Sequence, residues 1–397
     1  MRWFAISLVP VVVLSLIVIT GCGKGGGGVG GDSGGGGDGG GGGAWGPVLD
    51  ASNVSSYGGW YAEYPDAAID TEGNLHLVWS DSQPTGDIYY AKFDGNSWSN
   101  PQNISITGHA GTPLIVVDGN DTIHVIWKNS GYLYYKNCTA GTWMSLPVNI
   151  GEYGGSTGFG PDCTCPSLLV DSGNNLHLLW VGGDQDISYA KWQAGTWSSP
   201  TNISNASGYL ADCQNMALDS KGYPHVVWHQ VPLPYYLGDY QIYYAAFDGT
   251  AWSPPANISN SAEYCWCPKV AIDSTDTVHC VWQEDVSILG QWEIMYCSND
   301  GTGWTVPRNI SQTSLDSNKP QIKTDGGNNI HVVWRDDESR GVYHKIYSRS
   351  SGWSPSTKVS PSIWSQDEPD FVVDASGIVH LIMVGSCPTP GFCTSLN

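Results

Sequence analysis

The sequence predicts an all-β chain, a seven-bladed β-propeller of four-stranded antiparallel blades closed by an N-terminal strand that completes the last blade. Three observations predict it. First, one unit recurs along the chain: its marker aspartate stands at Asp70, Asp118, Asp171, Asp219, Asp273, Asp325 and Asp374, a period of 48 to 54 residues, and self-similarity at such a period marks a repeat architecture. Second, each unit holds short runs rich in Val, Ile, Tyr and Trp, bounded by Gly, Asn, Asp and Pro, and none carries a sustained 3.6-residue pattern. Third, the two ends complement each other, because the seventh unit lacks its fourth run and a lone fourth run stands ahead of the first unit.

Residues 1–21 read as a signal peptide. Arg2 precedes an apolar stretch over residues 4–19 that is short for a membrane span. The stretch ends in Ile19, Thr20, Gly21 and Cys22, which resembles the lipobox of bacterial lipoproteins. That resemblance implies lipidation at Cys22, export, and attachment to the outer membrane or cell surface through the lipid anchor. The rest of residues 22–44 is almost all glycine and cannot bury a core; it behaves as a flexible tether with an end-to-end distance of about 25 Å. The propeller occupies residues 45–397.

Within a unit the runs are named a to d. In the clearest copy, over residues 65–105, run a closes on Asp70, a tight turn follows, b reads L-H-L-V-W, c reads I-Y-Y-A, and d carries W-S-x-P-x-N-I-S. The a–b connection is a tight turn in every copy, as an antiparallel hairpin requires. Four-stranded meanders of this kind stack as blades that protect one another's edges. In the seventh unit residues 369–374 supply a, 379–383 supply b and 392–395 supply c, while residues 45–48 supply d.

A histidine follows each marker aspartate by six residues: His76, His124, His177, His225, His279, His331 and His380. One active site needs one such dyad, so the seven are assigned to structure, the Asp accepting from the turn amides and the His bridging strands. The tryptophans repeated on b and on d are expected to pack blades together. The recurrent Asn-Ile-Ser endings belong to the repeat and only coincide with a glycosylation sequon. Ten cysteines beyond Cys22 suit an oxidising compartment and structural disulfides. Cys280 and Cys297 are expected to face each other across one hairpin, Cys387 and Cys393 to flank another, and Cys163, Cys165, Cys213, Cys265 and Cys267 to share one rim; Cys138 has no evident mate. No cofactor is expected: acidic loops suit Ca²⁺, but no calcium-loop ligand spacing is present.

The balance of 16 Lys+Arg against 37 Asp+Glu, a net charge of -21, repels phosphate backbones and excludes nucleic acid as a partner. The c–d junctions F-D-G-N-S-W, F-D-G-T-A-W and S-N-D-G-T-G-W, at 93–98, 247–252 and 298–304, resemble shortened Asp-boxes, so residues 45–397 look like the sialidase-like, BNR-type propellers of bacterial surface proteins. The resemblance implies the fold. It does not extend to sialidase activity, which in that superfamily uses three arginines from different blades: Arg308, Arg335, Arg340 and Arg349 all fall in blades five and six.

If repeated residues build the blades, specificity belongs to what breaks the repeat. The b–c and d–a connections open on one end of the blades and carry the aromatic residues Trp60, Tyr61, Tyr64, Tyr236, Tyr240, Tyr264, Trp266, Trp292 and Trp364, expected to bind ligand. The expected function is a non-catalytic, monomeric surface lipoprotein that binds glycan or extracellular protein. The alternatives are a carbohydrate-active enzyme, glycoside hydrolase or polysaccharide lyase, with Asp81, Glu284, Asp336 and Arg335 as candidates, or a scaffold subunit of an outer-membrane assembly.

Overall fold

A computed structural model describes residues 15–18, 62–81, 86–106, 108–154, 166–233, 240–286, 290–337, 341–360, 369–373 and 379–383. Among the described residues every regular element is a strand. The first blade is an antiparallel meander of a (Ala62–Ile69), b (Leu75–Asp81), c (Asp87–Phe93) and d (Gln102–Asn103). Five more sheets repeat the order, over residues 110–152, 167–202, 209–257, 265–309 and 317–358. In the seventh sheet Asp370–Val373 pairs antiparallel with Val379–Met383. Ser15–Val18 pairs with the latter in parallel, in the place expected for residues 392–395; those residues and residues 45–48 lie outside the described ones.

Consecutive sheets pack face to face. Between the first two, Val78, Ile88, Tyr90 and Ile104 meet Ile115, Val125 and Trp127, and comparable clusters follow each sheet in turn. The strand-b tryptophans Trp127, Trp180, Trp228, Trp282 and Trp334 are fully buried. The strand-d tryptophans reach back instead: Trp143, Trp197, Trp252, Trp304 and Trp353 each lie edge-on to a tyrosine of the preceding blade, at ring centroid distances of 4.9 to 5.4 Å. Such edge-to-face pairs contribute about 0.5–1.5 kcal/mol each beyond the area they bury.

Those same tyrosines complete the Asp–His dyads. In the second blade His124 Nε2 lies 3.2 Å from Asp118 Oδ2 and its Nδ1 lies 2.8 Å from the Tyr135 hydroxyl. The arrangement recurs at His76, His177 and His279. His225 bonds Tyr244 and sits 3.8 Å from Asp219. Burial raises the carboxyls of Asp70, Asp171, Asp273 and Asp325, but bonds from the turn and the histidine outweigh it and hold them below the ordinary carboxylate range. An ionised Asp accepts from Nε2–H, so Nδ1 accepts from the tyrosine O–H. Burial pushes these tyrosines up and His124, His177, His225, His279 and His331 down. Such a tyrosine is a poor base at neutral pH, and the dyads are strand ties.

The turns also join neighbouring blades. Thr71 donates its N–H and hydroxyl to Asp121 of the next blade, Ser220 does the same to Asp276, and Gly119 N–H and Ser274 N–H donate to Asn174 and Asn328. All four acceptors hold positive φ, from 59 to 61°, where Asn and Asp are the side chains best tolerated. The fourth blade has Gly222 there; its φ is +76°, and a Cβ would come within 3.1 Å of Asp171 Cβ.

The Asn-Ile-Ser endings have an equally local cause. Asn103 and Ser105 both donate to Asp87, and Ser105 Oγ accepts from Ile88 N–H. Asp186 and Gln241 are the corresponding acceptors for Asn202 with Ser204 and for Asn257 with Ser259. The Asp-box aspartates cap their hairpins, Asp94 accepting from Asn96 and Ser97 N–H and Asp248 from Thr250 and Ala251 N–H.

Cys280 and Cys297 are direct cross-strand partners, as the spacing predicts, but the structure carries them as buried thiols, together with Cys138, Cys213 and Cys265. Burial, and then the opposed Cys297, raises the Cys280 thiol.

Candidate functional site

In five blades strand a breaks register near its start, between Glu63 and Asp66, Gly111 and Leu114, Asp212 and Asn215, Trp266 and Lys269, and Asn318 and Gln321. Each break contains a non-glycine residue at positive φ: Tyr64, Thr112, Cys213, Cys267 and Lys319. Left-handed backbone at such residues costs about 1–3 kcal/mol and concentrates at ligand sites. The residue ahead of each break faces the end of strand b across the ladder, giving the pairs Glu63–Ser80, Gly111–Lys128, Asp212–His229, Trp266–Gln283 and Asn318–Arg335. These pairs lie where the b–c and d–a connections open, and their chemistry differs from blade to blade.

Blades four and five carry the densest group. Tyr240 stacks on Trp266 at 5.7 Å and 13°. Tyr264 leans on Tyr240 at 5.4 Å and is 46% exposed. His229 is buried edge-on against both Tyr240 and Trp266, and its Nδ1 has no hydrogen-bond partner among the described residues. The Trp266 indole N–H donates to Cys213 Sγ at 3.0 Å. Tyr209, at the start of the fourth strand a, adds a second exposed ring.

Burial dominates the electrostatics here. It pushes His229 down to about 3, so the imidazole is neutral at physiological pH. It lifts the Asp212 carboxyl to about 6, against the lowering effect of the Cys213 N–H and of Lys128. Lys128 lies 4.2 Å above the Tyr153 ring. The group offers an aromatic platform over a buried carboxyl lifted toward neutrality and a buried neutral imidazole whose Nδ1 has no partner among the described residues. Among the described residues no three His, Cys, Asp or Glu side chains are grouped to hold a metal ion.

The structure brings together Tyr240, Tyr264 and Trp266 of the expected binding residues. Tyr64 is 52% exposed on the first blade, and Trp292 is half-buried with its backbone N–H donated to Asp316 Oδ1. Trp60, Tyr61, Tyr236, Trp364 and Cys22 lie outside the described residues. Of the candidate acids, Asp81 and Asp336 are the buried last residues of strand b and Glu284 is the buried last but one. All three stand two residues after the strand-b tryptophan, so they share one repeat position. Glu284 accepts from the Trp282 indole and from Ser261, and Gln230 accepts from Trp228 in the same way. Arg335 pairs with Asp337 at 2.7 Å.

Sequence reasoning passed over Asp212 and His229. Their signal was present, because His229 follows Trp228 directly, where other blades have Ser80, Lys128, Val181, Gln283 and Arg335.

No protein-family model matches this sequence, and no curated protein matches it. Solved structures do. A PL25 polysaccharide lyase, an ulvan lyase, matches with a TM-score of 0.55 at 12% identity, covering 82% of this chain and 94% of the lyase. The same type of lyase bound to -[GlcA(1-4)Rha3S]- gives 0.53 at 13% identity over the same shares. The polysaccharide lyase Uly1 gives 0.52 at 10% identity, over 81% of this chain and 87% of its own. At these identities the likeness is one of fold, and the stacked antiparallel sheets are the blades of a β-propeller.

Proposed function

We propose that this chain binds glycans at the end of its blades where the b–c and d–a connections open, with the Tyr264, Tyr240 and Trp266 platform as the contact surface. One observation carries the proposal: an exposed tyrosine continuous with a stacked Tyr–Trp pair stands over a buried carboxyl and imidazole. Apolar sugar faces stack on such rings while hydroxyls pair with the polar groups, the usual division of labour in a ligand site. The lyase likeness supports a saccharide over a protein ligand because a propeller of similar fold binds one. Titration of the folded chain with neutral and uronate-containing oligosaccharides tests this by calorimetry: Tyr264→Ala should weaken binding at least tenfold. No binding to any saccharide, with capture of a protein partner instead, would overturn it in favour of a scaffold.

A second reading, polysaccharide cleavage, is favoured by Asp212 and His229 rather than by Asp81, Glu284 or Asp336. A carboxyl titrating near neutrality suits general base work. Appearance of unsaturated or reducing ends, lost in Asp212→Asn and retained in Glu284→Gln, would select it.

The wider setting is proposed from sequence. Seven blades close when residues 45–48 and 392–395 complete the last one. The buried cluster Leu77, Trp79 and Ala91 on the far face of the first sheet supports this, since it needs a covering neighbour. Cleavage ahead of Cys22 would remove Ser15–Val18 and free the place beside Val379–Met383. The mature chain would then be an outer-membrane or surface lipoprotein, acting as a monomer on a glycine tether. Metabolic labelling with a fatty acid, abolished in Cys22→Ser, tests the anchor.

A further inference from the structure

At the opposite end of the blades, where the a–b turns and c–d hairpins lie, a cleft of about 470 Å³ opens between blades five and six. It is unrelated to the platform above, and its fifth-blade wall differs from that of the first and third blades. In the first and third blades a lysine at the end of strand c, Lys92 or Lys191, reaches the marker carboxylate, at 3.3 Å from Asp70 and 3.6 Å from Asp171. In the fifth blade that position is Ser298, too short to reach Asp273. Ser298 lines the cleft, and the space that a lysine would fill beside Asp273 stays open.

Arg349 of the sixth blade takes over the missing lysine's role. Its Nη2 donates to Asp273 Oδ2 at 2.8 Å and to the hydroxyls of Thr275 and Thr277. Its side chain is 53% exposed, and its Nε and Nη1 make no hydrogen bond among the described residues. Asp300 stands across the opening, fully exposed, with Oδ1 accepting from Thr302 N–H and hydroxyl. Trp304 and Tyr347, both half-buried, line the walls with Tyr296 at the back. The volume is of the size that ligand sites use.

We infer that this cleft is a second, independent saccharide site, which takes a single neutral sugar residue with its ring against Trp304 or Tyr347 and adjacent hydroxyls shared between the Arg349 guanidinium and the Asp300 carboxylate. Charge decides for a neutral sugar. The lining holds the Asp300 carboxylate and the Arg349 guanidinium, Asp273 buried behind Arg349 at 2.8 Å adds a second carboxylate, and burial keeps His279 neutral, so an anionic sugar meets net repulsion within a chain of charge -21. Arg349 presents planar donors already fixed by three bonds, so little side-chain freedom is lost on binding.

Saturation-transfer NMR and calorimetry on the whole chain test this, with methyl glycosides of galactose, mannose, fucose and xylose as probes and glucuronic acid as the acidic arm. At least one neutral glycoside is expected to bind and the uronate not. Ser298→Lys introduces the lysine of the first and third blades, fills the cleft and pairs with Asp273, and should weaken that binding at least tenfold. Asp300→Asn keeps the hairpin cap and tests the same contact should the lysine variant fail to fold. Tyr264→Ala must leave this binding unchanged, which separates the cleft from the platform. No neutral glycoside binding, or binding unaltered in both cleft variants, overturns the inference.

Discussion

His344 occupies the place of the strand-c tyrosine in the sixth blade, and replacing it with Tyr tests how the repeated ties support the fold. In the structure His331 Nδ1 lies 3.1 Å from His344 Nε2, and the two rings stack at 5.2 Å and 13°. Burial, then the neighbouring His331, lowers His344 from the ordinary 6.5 to about 4. The unfolded chain therefore takes up a proton in a pH range where the folded chain does not. The contribution of His344 is complete above about pH 6.5 and is lost as pH falls toward about 4, with a total of about 3 kcal/mol. In His344→Tyr the hydroxyl donates to His331 Nδ1, as in five other blades, and this titration disappears. Urea unfolding followed by tryptophan fluorescence at about pH 7.5 and about pH 4.5 measures it. The wild type should lose about 2–3 kcal/mol more than the variant between the two conditions. Equal losses would refute the assignment of His344 as a buried neutral acceptor-donor link.

Other consequences of the repeat are directly measurable. Tyr135→Phe leaves His124 Nδ1 buried without its donor and should cost about 1–3 kcal/mol in denaturant unfolding while saccharide titrations stay unchanged; lost binding would mean the tie has a functional role. Asp276→Gly keeps the positive φ and removes two bonds from Ser220, so a loss of about 1–2 kcal/mol is expected, and no loss would show that the turn latch is idle. Cys280 and Cys297 should resist alkylation in the folded chain and react on unfolding. Rapid labelling of the native protein would contradict their burial.

The repeat was legible because it is written in large residues at fixed intervals. Asp70 and His76, with their counterparts, announced a structural tie because they recur, and the geometry supplies the partner that spacing alone did not name, the second tyrosine of strand c. The inter-blade latch was harder to read, since Asp121, Asn174, Asp276 and Asn328 look like ordinary turn residues until the neighbouring turn is placed 50 or more positions away. Asp81, Glu284 and Asp336 were hard to place for a related reason. They follow a tryptophan at the end of a strand, and one more residue of strand moves a side chain from solvent to the packed interior. Tyr240, Tyr264 and Trp266 were found because aromatic residues in connections break the pattern, whereas Asp212 and His229 sit inside strands and were absorbed into it. The cleft beside Arg349 is lined by Ser298 where the first and third blades carry lysine, and absence of bulk is visible only against those blades.

The central claim is that repeated residues build the blades and departures from the repeat build the sites. Indole N–H resonances of tryptophan-labelled protein, followed during titration with a neutral oligosaccharide mixture, test it most directly. The account predicts shifts at Trp266 and Trp304, removed respectively by Tyr264→Ala and Ser298→Lys, with Trp127, Trp180, Trp228, Trp282 and Trp334 unmoved. Shifts confined to those buried strand-b tryptophans, or none at all, would contradict it.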